Sequence, residues 1–425
     1  MNRAILLNKE NKIKESFYKH LELITIKNKS NEELQIEKET YANYLELEEH
    51  LKEKGIAIDI EKAYISTAVE NSEYNTALAL SINIDSTNYE ELHKALSKYG
   101  FILRYPQDKE NITGYEYNPT HIRYVGKIIS KIIYENNWTL EEYLKEFSGV
   151  IVINKEKDMT SFDVVNEISH LFGIKKVGHT GTLDPLAEGV LIVCIGKATK
   201  IVELLTAKDK EYVAGVKLGI KTDSYDITGN VLDTKEVIEI TNLEEVISSF
   251  KKTYLQEVPI YSAVKVDGKK LYEYARNNKE VELPKKEVTI KEIELLSKEK
   301  DTFTIKTLVS KGTYIRSLIN DIGIELNTYA TMTSLKRTKQ GKVTIDEAYK
   351  LSDIRDNNFK IYRIEETLEY PVVKVNEELE YKITNGVKLD NAFDIKDKVI
   401  FVNKDDKLLG IYENDYDKLK VWKKY

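Results

Sequence analysis

A single cysteine, Cys194, among 425 residues leaves no partner for a disulfide within the chain and excludes a cysteine-based zinc site. It also fits a reducing compartment. Proline and tryptophan are scarce, and the abundance of Lys, Ile, Asn, Glu and Tyr reads as composition bias, not function. No run approaches the roughly 18 apolar residues that a membrane-spanning helix needs. The apolar stretch Ala4-Ile5-Leu6-Leu7 is too short for a secretory leader. A cytoplasmic protein with no membrane partner is therefore expected. No repeat with a period of about 20–50 residues is present, which excludes a solenoid. Positive charge is also lacking: the net charge is −7, mildly unfavourable for a nucleic-acid partner. The acid is unevenly spread, however. Residues 1–147 hold 19 Lys and Arg against 25 Asp and Glu, and the remaining 278 residues hold 45 against 46. A local basic surface in the larger part is compatible with the total, because binding depends on the local field.

What is present is a hydrophobic fraction of 41% without low-complexity tracts, enough for two to four packed domains at about 100–200 residues each. The pattern changes sharply near residue 148. Trp138–Phe147 reads as an acidic helix capped by Thr139, Ser148-Gly149 breaks it, and Val150–Asn154 reads as a buried strand. A second helix opens at Thr160-Ser161-Phe162-Asp163, carries Val164, Val165, Ile168 and Leu171 at helical spacing, and closes at Gly173. A Gly-rich loop, residues 178–185, precedes the apolar run Gly189–Gly196. The tail, with Asn385-Gly386, Lys404-Asp405-Asp406 and Gly410 as punctuation, predicts a small β domain.

The loop Gly178-His179-Thr180-Gly181-Thr182-Leu183-Asp184-Pro185 offers one carboxylate and one imidazole on a backbone that two glycines allow to approach closely. By itself Asp184 could be a nucleophile, a metal ligand or a turn cap. The wider stretch, running on through Leu186-Ala187-Glu188-Gly189-Val190-Leu191, closely resembles the catalytic motif of TruB-type tRNA pseudouridine synthases. Four further blocks follow in family order: Asp209–Tyr212 with Lys217–Asp226, Gln256–Lys265 with Gly268–Glu273, Val309–Leu318, and Leu335–Thr338. The tail from Pro371 resembles that family's small PUA-related C-terminal domain.

The resemblance implies an α+β fold: a mixed, largely antiparallel sheet with flanking helices over residues 148–370, and a small PUA-like RNA-binding domain over 371–425. It implies isomerisation of uridine 55 in the T-arm loop of tRNA, with no metal and no cofactor. It assigns Asp184 as nucleophile and Arg316 as its partner. Tyr212 would stack on the base and take the C5 proton, with Leu335 on the other face. His179 would help hold the RNA loop open. Lys155, Lys265 and Lys311 are expected to contact the substrate, and Lys269, Lys270, Lys336, Arg337 and Lys339 are further candidates for phosphate contacts. A monomer is expected. The first block departs from the family pattern Lys-Pro-x-Gly-Met-Thr-Ser, reading Lys155-Glu156-Lys157-Asp158-Met159-Thr160-Ser161, and Val258 replaces the first of two adjacent prolines.

Residues 1–147 resemble something else. Tyr99–Pro106, Ile112–Tyr115 and His121–Gly126 are similar to the end of VanY-type D-Ala-D-Ala carboxypeptidases, which are zinc peptidases. The family's ligand motif appears as Ser72–Ser81, with Tyr74 in place of a histidine and Ser81 in place of an aspartate. The general-base position is Asn118, and the substrate-binding arginine is replaced within Tyr64-Ile65-Ser66. Only His121 survives. Catalytic zinc needs three protein ligands, and an amide cannot act as a base, so an α+β peptidase-like domain that has lost its chemistry is expected. His50 and Asp59 read as parts of an ordinary helix and strand. Two other readings are a zinc carboxypeptidase and a tRNA-folding chaperone.

Overall fold

The computed structural model describes all residues except 1, 9, 14, 66–71, 238–239 and 278. Ser66, in the stretch matched to the peptidase arginine, lies outside the described residues. The N-terminal unit places helix α1 (Lys38–Glu53) and helix α2 (Tyr89–Leu96) with a four-stranded antiparallel sheet. Its strands are β1 (Asp59–Lys62), β2 (Ala79–Asn83), β3 (Phe101–Tyr105) and β4 (Asn118–Tyr124), in the order β1-β2-β4-β3. His50 and Asp59 fall on α1 and β1, as their surroundings predicted.

Two helices lead out of this unit: α3 (Lys127–Asn136) and α4 (Leu140–Glu146). Thr139 caps α4 through a reciprocal pair with Glu142, satisfying two otherwise orphaned amides. Strand β5 (Ser148–Lys155) follows at once. Ser148 and Gly149 do not form a break outside the strand, because they already pair with Gly196 and Ile195. Gly149 is needed for close packing: a Cβ there would lie 2.4 Å from Ile361 Cγ2.

Helix α5 (Ser161–Phe172) is capped by Thr160 with Asp163 and ends at Gly173 in the left-handed region, as the pattern predicted. The large sheet then assembles from β5, β6 (Val177–His179), β7 (Glu188–Gly196), β8 (Lys210–Leu218), β9 (Thr253–Glu257), β10 (Lys285–Lys298), β11 (Thr302–Val309), β12 (Ala330–Gln340) and β13 (Val343–Thr344). Its main path is β9-β10-β11-β8-β12-β7-β5; β6 pairs with β7 and β13 with β12. Only the β7–β12 contact in it is parallel, joining Glu188 and Gly189 to Lys336 and Arg337. Helix α6 (Ile315–Glu325) packs against β12. The mixed, mostly antiparallel sheet with flanking helices is the expected fold class. The tail forms a five-stranded sheet, including Lys398–Val402, Leu408–Asp415 and Lys418–Lys424.

The hydrophobic core crosses the change of fold at residue 148. Ile128, Ile129, Ile132 and Ile133 of α3, with Leu140, Tyr143 and Phe147, belong to the same buried cluster as Val164, Ile168 and Phe172 of α5. Tyr143 Oη donates to Phe172 O at 2.7 Å, and the Phe147 ring stacks between those of Tyr143 and Phe172. Each such buried side chain contributes roughly 1.5–3 kcal/mol. The N-terminal unit is thus fastened to the helix that starts beside the Asp184 loop. No helix among the described residues is long and apolar enough to cross a membrane.

The parallel β7–β12 contact depends on Gly189, which has φ +103 and whose Cβ would fall 2.2 Å from Arg337 O. Gly189→Ala should lose about 2–4 kcal/mol in chemical denaturation, combining backbone strain with overpacking. Gly55→Ala, also at positive φ but with nothing within 4 Å, should lose only about 1 kcal/mol. Equal losses would contradict the packing argument.

Candidate active site

The loop of residues 178–185 is fastened from several directions. Thr180 N donates to Ile192 O at 3.1 Å, drawing the loop onto β7. Ser161, at the first turn of α5, accepts from Leu183 N at 2.8 Å and donates to Leu183 O at 3.1 Å. Asp158 N donates to Pro185 O, and Ala187 N to Asp184 O. From β12, Arg337 donates to Val190 O and Gly181 O, while Gln340 donates to Thr180 O, Thr180 Oγ1 and Leu205 O. The loop backbone is therefore fixed before any substrate arrives.

Asp184 carries the exposed end of this arrangement, with 38% of its side chain accessible. Arg316, in the first turn of α6, directs Nε at Asp184 Oδ2, 3.0 Å away. Each terminal nitrogen also makes a hydrogen bond: Nη1 donates to Ser224 O at 3.0 Å and Nη2 to Tyr261 O at 2.9 Å. The guanidinium thus ties together three of the sequence blocks. Asp226, buried, lies 3.8 Å from Arg316 Nη1 and accepts from Ser224 and Thr228. Asp226, Ser224, Ser161 and Gln340 were not read as site residues; only Asp226, Ser224 and Ser161 stood inside quoted motifs, and nothing local reveals that the fold buries them together.

Tyr212 on β8 and Leu335 on β12 are both 7% exposed and share one hydrophobic cluster with Leu183 and Ile315. Tyr212 lies across from Arg337, and Leu335 across from Ala214. His179 ends β6 and accepts from Gly181 N at 3.3 Å. Burial, reinforced by the charge of Arg337, lowers its pKa, which favours the neutral ring. Lys265 sits exposed on a short hairpin, and Lys311 exposed in the turn before α6.

Lys155 differs from its expected place. It is 1% exposed, and its Nζ donates to Glu156 O at 2.8 Å and Met159 O at 2.6 Å. It cannot touch a substrate directly, because it closes the turn from within. That turn also explains the departure at Asp158. Asp158 has φ +65, where the family pattern has glycine, and aspartate tolerates the left-handed region better than most residues. Of the other candidate phosphate contacts, Arg337 is also buried, at 1% exposure.

In the N-terminal unit the positions expected to match the family's zinc ligands lie close together. Tyr74 Oη lies 3.4 Å from His121 Nδ1, and Ser81 pairs with His121 across β2 and β4. Ser81 Oγ donates to Glu61. One imidazole with a phenol and a hydroxyl does not fit Zn²⁺, which takes thiolate, imidazole or carboxylate ligands. Among the described residues no group of three His, Cys, Asp or Glu could hold a metal. Glu73, beside Tyr74, is buried between Arg104 and Arg123 and anchors the unit instead.

Comparison with known proteins bears on both parts of the chain. Residues 169–315 match the model of the TruB family pseudouridylate synthase N-terminal domain. Residues 316–378 match the tRNA pseudouridylate synthase B C-terminal domain, and residues 27–127 match D-alanyl-D-alanine carboxypeptidase. The chain is 44% identical over 287 residues to tRNA pseudouridine synthase B of Fusobacterium nucleatum, covering 65% of this chain and 99% of that protein. It is 41% identical over 284 residues to the protein of the same name from Clostridium kluyveri, covering 65% and 98%. A solved H/ACA RNP bound to a substrate RNA containing 2'-deoxyuridine shares the fold at 24% identity and a TM-score of 0.51, over 68% of this chain and 88% of that one. The chain accordingly belongs to the TruB family of pseudouridylate synthases and carries, fused ahead of the synthase, a VanY-like peptidase domain.

Proposed function

We propose that the protein isomerises uridine 55 in the T-arm loop of tRNA to pseudouridine, with Asp184 as the nucleophile. The observation that carries this reading is the partly exposed Asp184 carboxylate held 3.0 Å from a buried arginine in a loop with almost no backbone freedom. The relatives named tRNA pseudouridine synthase B support the choice of RNA. The target uridine must leave its stack before a carboxylate can reach it, at a cost of a few kcal/mol. Tyr212 and Leu335 supply apolar faces for the extruded base, and neutral His179 suits stacking in the opened RNA loop. Attack by Asp184 breaks the N1–C1′ glycosidic bond. The base turns, C5 bonds to C1′ as the bond made by Asp184 breaks and frees its carboxylate, and the proton lost from C5 by way of the Tyr212 oxygen is matched by one taken up at N1. Nothing is gained or lost overall, so no redox partner is required. Exposed Lys265 and Lys311 would contact phosphates, and the units would divide as 1–147, 148–370 and a PUA-like 371–425.

The first test is pseudouridine formation on an unmodified tRNA transcript. The wild type should form it at one T-arm uridine, and Asp184→Asn should lower the rate by at least about 10³-fold. A product undiminished in Asp184→Asn, or found only outside the T arm, would contradict the reading.

We infer further that residues 1–147 keep a peptidase fold without peptidase chemistry. There His121 serves as a packed core ring between Tyr74 and Tyr105. Burial pushes its pKa down to about 4. The unfolded chain takes up that proton below the ordinary value of about 6.5, so the stability is present above pH 6.5 and is lost as pH falls towards 4. The loss should approach about 3 kcal/mol at most. Denaturation of His121→Gln should be flatter than wild type between about pH 6.5 and pH 5, before carboxylates titrate. An equally steep wild-type and variant profile would contradict the neutral, buried imidazole.

A further inference from the structure

Three cations lie buried around the Asp184 loop: Lys155 at 1% exposure, Lys210 at 7% and Arg337 at 1%. Among the described residues none of them makes an ion pair within 4.0 Å; their donors go to backbone carbonyls. Lys210 Nζ bonds Thr206 O at 2.9 Å and Lys208 O at 2.8 Å, in parallel with the carbonyl contacts of Lys155 and Arg337. Buried charges are ordinarily paired, because the desolvation cost is several kcal/mol per ion. Here Asp184 and Asp226 are the carboxylates of the site, and Arg316 already faces both. The four cations therefore outnumber the two carboxylates. The other acids that act on the buried cations are Asp158 and Asp163 near Lys155 and Asp209 near Lys210. Asp158 and Asp163 are exposed, and Asp209 is engaged by Lys291.

The loop over these cations is thin. Gly181 has φ +145, and a Cβ there would stand 3.5 Å from Lys210 Cε and 3.6 Å from Arg337 Nη1. Beside it Thr182 is exposed, and exposed Lys311 adds to the field at Lys210. We propose that Lys155, Lys210 and Arg337 form a cationic floor beneath the Gly181–Thr182 turn, whose missing counter-charge is a phosphodiester of the bound RNA lying over that turn next to the extruded nucleotide. The floor acts through its field across a glycine backbone, without contact. It rests on the reading of the substrate as RNA. It also gives an acidic chain a local source of affinity just where the base must be drawn out.

Burial, the largest cause, and the neighbouring cations push Lys210 down to about 8; burial brings Lys155 to about 8 despite the opposing pull of Asp184. The floor therefore loses charge as pH rises through that value. The experiment is equilibrium binding of unmodified tRNA transcript to the full chain across a salt series at about pH 7 and pH 9, with pseudouridine formation followed in the same samples. Lys210→Met should weaken binding about fivefold to tenfold at low salt, with the difference shrinking as salt rises. Wild-type affinity should fall between the two pH values, whereas Lys210→Arg, charged throughout, should hold its affinity. Lys155→Met serves as the second variant should Lys210→Met fail to fold. Salt and pH dependences identical in wild type and variants, with product still formed, would overturn the cationic floor alone. A wild type that neither binds the transcript nor forms product would overturn the RNA reading with it.

Discussion

An arginine with all three guanidinium nitrogens engaged is the fixed point of the site. Arg316 ion-pairs through Nε with Asp184 and donates from its two terminal nitrogens to the carbonyls of Ser224 and Tyr261. Those carbonyls come from segments far apart in sequence, so the large sheet and α6 must both be in place before the guanidinium can point correctly. Lysine, a point charge, could not tie three groups in fixed directions. The pair is also asymmetric in burial: the arginine side chain is 6% exposed and the carboxylate 38%. The cation is structural, and the carboxylate is left available for chemistry.

The opposite side of the loop is held by different means. Ser161, Gln340 and Arg337 grip its backbone, and the parallel contact of β7 with β12 brings the last two into range. Preorganisation of this kind moves the ordering cost from the reaction to folding. The fused N-terminal unit shares in it, since Tyr143 and Phe147 pack against the far end of the helix whose first turn supplies Ser161. A VanY-like domain is thereby part of the core that supports another.

Much of this was legible in the residues. The capped helices followed from periodicity and cap residues, whereas the mixed sheet and the pairing of Asp184 with Arg316, 132 positions apart, followed from the resemblance of the motifs to a known family. Lys155, expected to contact the substrate, is instead buried, because the turn folds back and supplies two carbonyls to its ammonium. Asp158 departs from the glycine of the family pattern, yet its positive φ is a backbone that glycine also takes readily. The four isoleucines of α3 are buried with a helix that comes after the intervening strand β5, and no local pattern encodes such a distance. The buried carboxylate Asp226 was hidden for the same reason.

The central claim is that Asp184 and Arg316 act as one unit. Single-turnover rates on tRNA transcript for Asp184→Asn, Arg316→Met and the double variant test it most directly. If Arg316 works through Asp184, the double variant should be no slower than Asp184→Asn alone. Losses that multiply, as for independent sites, would contradict the account.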